Sequence, residues 1–469
     1  MNQPRGLWVL FITEMWERFS YYGMRALLVL YLIASTGGPE GMAENPGFGW
    51  SEADAYLLYG IYTWAVYLTP IAGGWLADRF LGTHRSLLVG GWLIAAGHLT
   101  LAATELFGVT PGEIVSLQSS AGALFCFLSG LGLIIIGTGF FKPCVSVMVG
   151  QLYERDDPRR DSGFTIFYMG INVGAVLAPL VAGTLGETVG WHWGFGSAAV
   201  GMILGILTYQ YLRPRYLGDI GLEPDQPVTE TGSHQRRWEL NKVEWQRLAV
   251  ILVLAFFGNI VFWTAFEQAG SSMNVFAAQS TDRTLWGLMD NPFPATWYQS
   301  ANPLSVIVFA PLFAWLWVAL ARRGLEPSTP AKFALGLYLL GLAFLAMVAG
   351  SLQARSGGLA GAHWLLITYM VYTWGELCLS PVGLAMVTRL APLHLQSLMM
   401  GVWFFTLSLA NLTAGLAARF SVRLERGDIT FVYDGLAGFY LLLVIVPLAA
   451  GTLVLLLTPT LKRWMHGVR

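Results

Sequence analysis

Long apolar runs alternate with short polar stretches along the whole chain, and this pattern predicts membrane-spanning helices. Twelve runs reach the length of about 20 residues that one helical crossing needs. The first six lie near 6–33, 53–77, 85–106, 120–149, 162–184 and 193–212. The second six lie near 247–278, 297–320, 331–352, 363–389, 396–420 and 432–458. We therefore expect an all-α polytopic membrane protein with twelve transmembrane helices.

The two sets of runs are separated by residues 213–246, which are rich in proline, glycine and charge and contain no spanning run. This change in composition predicts three parts. An N-terminal six-helix bundle occupies 1–212, a cytoplasmic linker occupies 213–246, and a C-terminal six-helix bundle occupies 247–469.

Composition agrees with a membrane protein and argues against several functional classes. The chain of 469 residues is 55% hydrophobic and 12% charged, with a mean hydropathy of +0.56, whereas soluble domains carry about 25% charged residues. A net charge of −1 argues against a nucleic-acid partner. No phosphate-loop, zinc-protease or dinucleotide-binding motif is present, so we expect no cofactor and no enzymatic activity. Cys126, Cys144 and Cys378 lack metal-ligand spacing and are expected to pack in the interior.

Lysine and arginine are distributed unequally between the two sets of loops, which predicts the orientation of the chain. With the N-terminus inside, the cytoplasmic loops and tails carry 19 of the 27 basic residues, and the opposite loops carry 5. The other three lie inside apolar runs. The sequence therefore predicts a multi-pass protein of the inner (plasma) membrane with both termini in the cytoplasm.

The first run is interrupted by a polar stretch from Glu14 to Arg25, EMWERFSYYGMR. At about 100° per residue, its polar side chains fall on one side of a helix. These side chains are Glu14, Glu17, Arg18, Tyr21, Tyr22 and Arg25. Each charge at membrane depth costs about 2.5–3.5 kcal/mol, so it must face a partner or a wet cavity. We expect this helix to form one wall of a polar pathway.

The predicted orientation gives each buried charge a depth and suggests two pairings. Lys142, in the fourth run, would lie at the depth of Glu14 and Glu17. Arg25 would lie level with Glu267 of the seventh run, and this pair would form an outer gate that opens when Glu267 is protonated. The alternative is that these charges only lock helices together, but buried ion pairs are a poor route to stability.

The loop after the second run, GGWLADRFLGTHR over 73–85, resembles the signature loop of the major facilitator superfamily. Its glycines allow two helices to approach closely, and its aspartate and two arginines can brace a cytoplasmic hinge. The resemblance implies a major facilitator fold in which two six-helix bundles rock about a central site.

Further motifs resemble the proton-dependent oligopeptide transporter family within that superfamily. The most specific are Glu14-x-x-Glu17-Arg18-Phe19-x-Tyr21-Tyr22-Gly23 and Phe167-Tyr168-x-x-Ile171-Asn172-x-Gly174. The others are Tyr67-Leu68-Thr69-Pro70, Lys142-Pro143, Trp263-x-x-x-Glu267-Gln268-x-Gly270, Asn302-Pro303 and Gly375-Glu376-Leu377. Together they lie on seven of the twelve runs, in both halves of the chain.

This resemblance implies import of di- and tripeptides driven by an inward proton gradient. It implies that the peptide carboxylate is bound by Arg25 and Lys142, and the amino group by Glu376. The residues implied for the peptide backbone are Asn172, Asn302, Tyr22 and Tyr67, and those for side-chain pockets include Trp263 and Trp403. The residues implied for proton coupling are Glu14, Glu17, Arg18, Lys142 and Glu267. Residues 51–80 contain no histidine, so coupling would rest on carboxylates.

The nearest alternative is a family member that moves another small solute, such as nitrate or a modified amino acid. Glu376 argues against a small anion, which it would repel. A membrane-embedded enzyme would need a nucleophile–base pair or a metal cluster at one depth, and the sequence offers neither. A channel is disfavoured because charges that pair across two halves suit alternating access. We expect peptides, protons and the lipid bilayer as partners, and function as a monomer.

Overall fold

The described part of the computed structural model comprises residues 3–35, 45–107, 120–154, 157, 159–222, 240–285, 287–392 and 395–467. Within it the secondary structure is helical, and the one β-type contact is an isolated bridge between Thr281 and Ala360. The predicted all-α class is confirmed.

The helices follow the predicted runs, and several runs divide into consecutive helices. The first seven helices are α1 (Arg5–Ile33), α2 (Glu52–Leu76), α3 (Gly82–Ala102), α4 (Ala121–Gln151), α5 (Arg160–Ala178), α6 (Thr184–Thr188) and α7 (Trp191–Tyr216). Then come α8 (Lys242–Val253), α9 (Ile260–Phe266), α10 (Ser272–Gln279), α11 (Ala301–Arg322), α12 (Thr329–Arg355), α13 (Ala362–Leu390), α14 (Gln396–Glu425) and α15 (Gly435–Trp464). The fifth predicted run covers most of α5 and ends at the first residue of α6, and the seventh covers α9 with most of α8 and α10.

Short segments of π- or 3₁₀-helix join or extend these helices. The π segments are Ala77–Leu81, Pro179–Gly183 and Leu254–Asn259, and the 3₁₀ segments are Ala103–Phe107, Glu267–Gly270 and Ala295–Ser300. Gly82 follows the first π segment with a φ of 75°, in the region that favours glycine. Such interruptions are frequent at functional sites. The segment Glu267–Gly270 falls inside the motif of the seventh run, whereas the motif of the fifth run, 167–174, lies within α5.

Ten segments of the described chain are long and apolar enough to cross a membrane. One of them, Glu52–Phe107, is 56 residues long and contains the second and third predicted runs. α1 is not among the ten, because charged side chains are distributed along most of its length. The protein is therefore a multi-pass membrane protein.

The first of two compact units comprises Met1–Val228 together with Phe293–Leu304. Within it α1 packs along α5 and α7, α2 packs along α4, and α3 packs along α4 and α7. Most residues of α1 are buried on all sides. This central position places the charged stretch of α1 inside the unit.

The second unit comprises Thr229–Pro292 and Ser305–Arg469. Within it α12 packs along α13 and α15, and α14 packs along α9 and α15. This division follows spatial contact, whereas the predicted parts 1–212, 213–246 and 247–469 follow chain order. The predicted domain limits therefore stay a prediction.

Glycines bring α3 and α4 into backbone contact at two levels. A Cβ atom on Gly137 would lie 2.6 Å from the carbonyl oxygen of Gly90, and one on Gly130 would lie 2.9 Å from that of Gly97. Backbone atoms cannot rotate away as a flexible side chain can. The packing of this helix pair therefore depends on the absence of side chains at these positions.

We predict that Gly137→Ala destabilises the protein by about 1–3 kcal/mol, the usual cost of overpacking. The control is Gly132→Ala in the same helix, where an added Cβ meets nothing within 4 Å. Alanine favours a helix over glycine by about 0.5–1 kcal/mol, so the control should unfold at an equal or higher temperature. The measurement is the thermal unfolding of purified protein in detergent, and equal unfolding temperatures for the two variants would contradict this account.

Candidate functional site

Three charged side chains form a buried cluster on α1. The Arg18 guanidinium donates from Nη2 to Glu17 Oε1 at 2.7 Å, and its Nε lies 3.2 Å from Glu14 Oε1. The exposed fractions of Glu14, Glu17 and Arg18 are 4%, 1% and 4%. One arginine therefore partly compensates the charge of two carboxylates in the interior of the unit, where water does not solvate them.

Glycines on α5 hold α1 in place beside this cluster. A Cβ on Gly174 would lie 2.2 Å from the carbonyl oxygen of Met15 and 3.0 Å from the backbone nitrogen of Phe19. A Cβ on Gly170 would lie 2.9 Å from the ring of Phe11. The glycine in the second motif thus lets α5 touch the backbone of α1 between Glu14 and Arg18.

Lys142 lies on α4 with its ammonium group over the ring of Tyr67, 3.8 Å from the centroid. It is also near enough to Glu14 to act on that carboxylate electrostatically. The second carboxylate oxygen of Glu14, Oε2, is buried and makes no hydrogen bond within the described part of the chain. The pairing predicted for Lys142 with Glu14 or Glu17 stays a prediction, while the hydrogen bonds of the cluster go to Arg18.

Arg25, two turns further along α1, is held by two tyrosines. Its Nε donates to the hydroxyl oxygen of Tyr59 at 2.8 Å, and its guanidinium carbon lies 5.7 Å from the ring centroid of Tyr22. Tyr59, on α2, was not predicted from the sequence. The available signal was the spacing of Tyr56 and Tyr59, three residues apart and therefore on one face of the helix.

The two candidate asparagines both belong to the first unit, because Asn302 falls within Phe293–Leu304. Asn172 is 6% exposed, and its side-chain Nδ2 donates to the carbonyl oxygen of Tyr168 at 3.0 Å. The hydroxyl of Ser300 donates to the carbonyl oxygen of Val176 at 2.8 Å. This bond ties the segment that carries Asn302 to the helix that carries Asn172.

In the second unit, an amide connects α9 to α14. Trp263 donates from its indole nitrogen to Asn259 Oδ1 at 2.8 Å, and Asn259 Nδ2 donates to the hydroxyl of Thr406 at 3.0 Å. Thr406 in turn donates to the carbonyl oxygen of Trp403 at 2.7 Å. Asn259 and Thr406 were not predicted, since nothing in the sequence relates two residues that lie so far apart in the chain.

Trp403 is buried, with 2% of its surface exposed. A Cβ on Gly383 would lie 2.3 Å from its ring, and the ring of Phe333 lies 6.1 Å away in an edge arrangement. Gly383 therefore provides the space that this indole occupies. The part of Trp403 in a side-chain pocket stays a prediction.

Aromatic rings link the two candidate carboxylates of the second unit. The ring of Phe266 lies 4.8 Å from that of Trp263 and 4.6 Å from that of Tyr372. Glu267 follows Phe266 in the chain, and Glu376 lies one turn after Tyr372 on α13. The exposed fractions of Glu267 and Glu376 are 3% and 7%, so both carboxylates are buried beside this aromatic contact.

Glu267 also stands where the seventh run breaks. α9 ends at Phe266, the 3₁₀ turn Glu267–Gly270 follows, and Ser271 leaves helical geometry with φ −124° and ψ −103°. The side-chain nitrogen of Gln268 bonds the carbonyl oxygens of Ala414 and Thr264 at 3.0 and 3.1 Å. Gln268 thus bonds one carbonyl oxygen beside the break and one on α14, which agrees with the need to satisfy backbone groups at membrane depth.

We predict that Arg18→Met destabilises the protein by about 3–5 kcal/mol, because it leaves two buried carboxylates without their counter-ion. Adding Glu17→Gln should restore part of the loss. The control is Arg355→Met. The Arg355 side chain is 51% exposed, and its Nη2 lies 3.7 Å from Asp434 Oδ2; exposed pairs contribute about 0–1 kcal/mol. Thermal unfolding in detergent measures all three, and an equal loss in the control would contradict the assignment.

Comparison with known proteins places the chain in a family. A model described as the POT family matches residues 84–218 and 225–431. The di-/tripeptide transporter of Lactococcus lactis subsp. cremoris is 38% identical over 454 residues, which cover 86% of this chain and 86% of the relative. The peptide transporter YePEPT of Yersinia enterocolitica is 36% identical over 472 residues, covering 88% of this chain and 87% of the relative.

Solved structures agree with these sequence matches. A crystal structure of the peptide transporter POT in complex with sulfate matches the fold with a TM-score of 0.83 at 34% identity, covering 99% of this chain and 96% of that chain. The family model spans more than half of the sequence, and both relatives are similar over most of their length. This membrane protein therefore belongs to the POT family of transporters.

Proposed function

We propose that this protein is a proton-coupled symporter that imports di- and tripeptides by alternating access. The observation that carries the proposal is the charge held inside each unit. The first unit holds Arg25, which is 5% exposed, and Lys142, which is half-buried, and the second holds the carboxylate Glu376 at 7% exposure. A zwitterionic peptide needs opposite charges for its two ends, and a buried charge in a membrane is a functional group by default.

The named relatives support the substrate class. One is named a di-/tripeptide transporter and the other a peptide transporter, at 38% and 36% identity. We assign the peptide carboxylate to Arg25 and Lys142, and the amino group to Glu376. The peptide backbone and side chains would meet the remaining candidates, which are Tyr22, Tyr67, Asn172, Asn302, Trp263 and Trp403.

In the proposed topology the protein lies in the inner membrane and crosses it twelve times. Both termini are in the cytoplasm. Glu52–Phe107, at about 1.5 Å per residue, is long enough for two crossings of a core about 30 Å thick, so the ten candidate segments account for eleven. α1 adds the twelfth, because its charges are paired within the protein and its 29 residues are sufficient to span. The excess of basic residues on one side sets the orientation.

Protons would be carried by the buried carboxylates. In the first unit Glu14 and Glu17 share Arg18, so one of them can take up a proton while the other keeps its ion pair. In the second unit Glu267 stands at a helix break. We keep Arg25 and Glu267 as the proposed outer gate, from their charge and their predicted depth.

The energy available from one proton is sufficient for uptake. One charge crossing 100 mV provides about 2.3 kcal/mol, and about 1.4 kcal/mol corresponds to a tenfold ratio. One proton per neutral peptide can therefore maintain a gradient of roughly 50-fold, before any contribution from a pH difference.

The testing experiment is uptake of labelled dialanine into proteoliposomes, with and without an imposed inward proton gradient. We expect accumulation above the external concentration only with the gradient, and its loss when a protonophore is added. Absence of dialanine uptake, together with gradient-driven uptake of nitrate or a modified amino acid, would identify a transporter of another solute.

In the same assay, Glu267→Gln should abolish gradient-driven accumulation and retain exchange of labelled for unlabelled dialanine, because the amide cannot take up a proton. The control is Glu326→Gln in the same unit. The Glu326 side chain is 35% exposed, and its carboxylate forms an ion pair with Lys332. Full gradient-driven accumulation in Glu267→Gln would rule out a coupling role for this residue.

We predict that Tyr59→Phe raises the KM for dialanine roughly 3–10-fold, since one hydrogen bond contributes about 0.5–1.5 kcal/mol. The lost hydroxyl accepts from Arg25, so the guanidinium should no longer be held for the peptide carboxylate. The control is Tyr62→Phe on the same helix, because that buried hydroxyl makes no hydrogen bond within the described residues. Equal changes in KM for the two variants would contradict the role of Tyr59.

A further inference from the structure

A carboxylate in α6 binds the start of a helix more than a hundred residues later in the chain. Glu187 Oε2 accepts from the backbone nitrogen of Ala295 at 2.8 Å, and Oε1 accepts from the backbone nitrogen of Thr296 at 2.9 Å. Oε1 also accepts from the hydroxyl of Thr296 at 2.7 Å. Ala295 and Thr296 are fully buried, and Glu187 itself is half-buried.

The helical segment that begins at Ala295 needs this carboxylate. The first N–H groups of a helix have no partner within it, and a side chain just before the helix usually supplies one. Here that position is occupied by Pro294, which makes no side-chain cap. Glu187 supplies the missing acceptor and places a negative charge at a helix N-terminus, where it is stabilising.

Three further contacts fix the same segment along the fifth run. The indole nitrogen of Trp297 donates to the hydroxyl of Thr184 at 2.8 Å, and Ser300 bonds the carbonyl oxygen of Val176 at 2.8 Å. A Cβ on Gly183 would lie 2.1 Å from the hydroxyl of Thr296. Trp297 meets Thr184, and the later Ser300 meets the earlier Val176. The segment therefore lies antiparallel to the fifth run.

This register sets the level of the two candidate asparagines. Asn302 lies two residues beyond Ser300, or about 3 Å along a helix, and Asn172 lies four residues before Val176, or about 6 Å along its own helix. Because the two segments are antiparallel, Asn302 and Asn172 both lie on the same side of the Ser300–Val176 bond. The segment through Leu304 belongs to the first unit, while Ser305 and the residues after it belong to the second.

We propose that Glu187 is a positioning residue, which holds Ala295–Asn302 on the fifth run and thereby places Asn302 beside Asn172 for binding the peptide backbone. This inference rests on the proposed function, because the role of Asn302 in binding depends on it. The part played by Glu187 in holding the segment does not, and it can be measured separately.

Hydrogen–deuterium exchange of the full-length protein measures the holding directly. Glu187→Ala should speed exchange of the backbone amides of 293–304 at least tenfold, and Glu187→Gln should have a smaller effect because its amide oxygen still accepts. The matched control is Glu105→Ala, which removes a carboxylate that accepts from the backbone nitrogen of His192 at 3.2 Å. Unchanged exchange over 293–304 in Glu187→Ala would overturn the proposal.

Dialanine uptake tests the positioning. We expect Glu187→Ala to raise KM about tenfold with kcat within twofold, Glu187→Gln to recover part of the loss, and Glu105→Ala to match the unaltered protein. Asn302→Ala should raise KM about tenfold alone and less than twofold in the Glu187→Ala background. If Glu187→Ala and Asn302→Ala raise KM independently, so that their factors multiply in the double variant, Glu187 does not act through Asn302.

A second variant keeps the test decisive if Glu187→Ala does not fold. Thr184→Val removes the acceptor for Trp297 and should show the same pattern, with faster exchange over 293–304 and a raised KM. If this variant shows normal exchange and a normal KM, the proposal is overturned. If the unaltered protein takes up no dialanine while Glu187→Ala still speeds exchange, the proposed function fails and the holding contact stands.

Discussion

The first unit depends on how α1 satisfies its charges inside an apolar bundle. A charged side chain at membrane depth persists only with partners, and Arg18 provides them for Glu14 and Glu17. Shielding this cluster from lipid requires neighbouring helices to cover α1 on all sides. Gly174 allows that cover, because its missing side chain lets α5 reach the backbone at Met15. The central place of α1 therefore follows from its own polar residues.

The same constraint governs the backbone wherever a helix breaks. Each unsatisfied N–H or C=O group costs several kcal/mol in a membrane, and at two irregular places a polar side chain bonds the backbone. Gln268 bonds carbonyl oxygens of α9 and α14 beside the break at Glu267, and Glu187 bonds the first N–H groups of the segment at Ala295. Each of these residues supports irregular backbone within its own unit.

The all-α class and the positions of the long apolar helices could be predicted from the sequence, because run length is a local property. The partner of Arg25 could not, since Tyr59 is selected by the register between α1 and α2. The link from Trp263 through Asn259 to Thr406 likewise depends on how α9 meets α14. The grouping of Phe293–Leu304 with the first unit was also beyond prediction, because chain order places that segment with the eighth run. Residues that touch across helices carry no shared signal in one sequence.

The composition of the α1 cluster fits a group that carries a proton in the proposed cycle. With both carboxylates ionised, Glu14, Glu17 and Arg18 carry a net charge of −1, and one proton brings the cluster to zero. Arginine suits this task better than lysine, because its fork of donors bonds two carboxylates at once and keeps one ion pair when the other carboxylate is neutral. A buried cluster of this kind contributes little to stability compared with apolar packing. The proposed change of protonation would give such a cluster a function, because it leaves no buried charge without a partner.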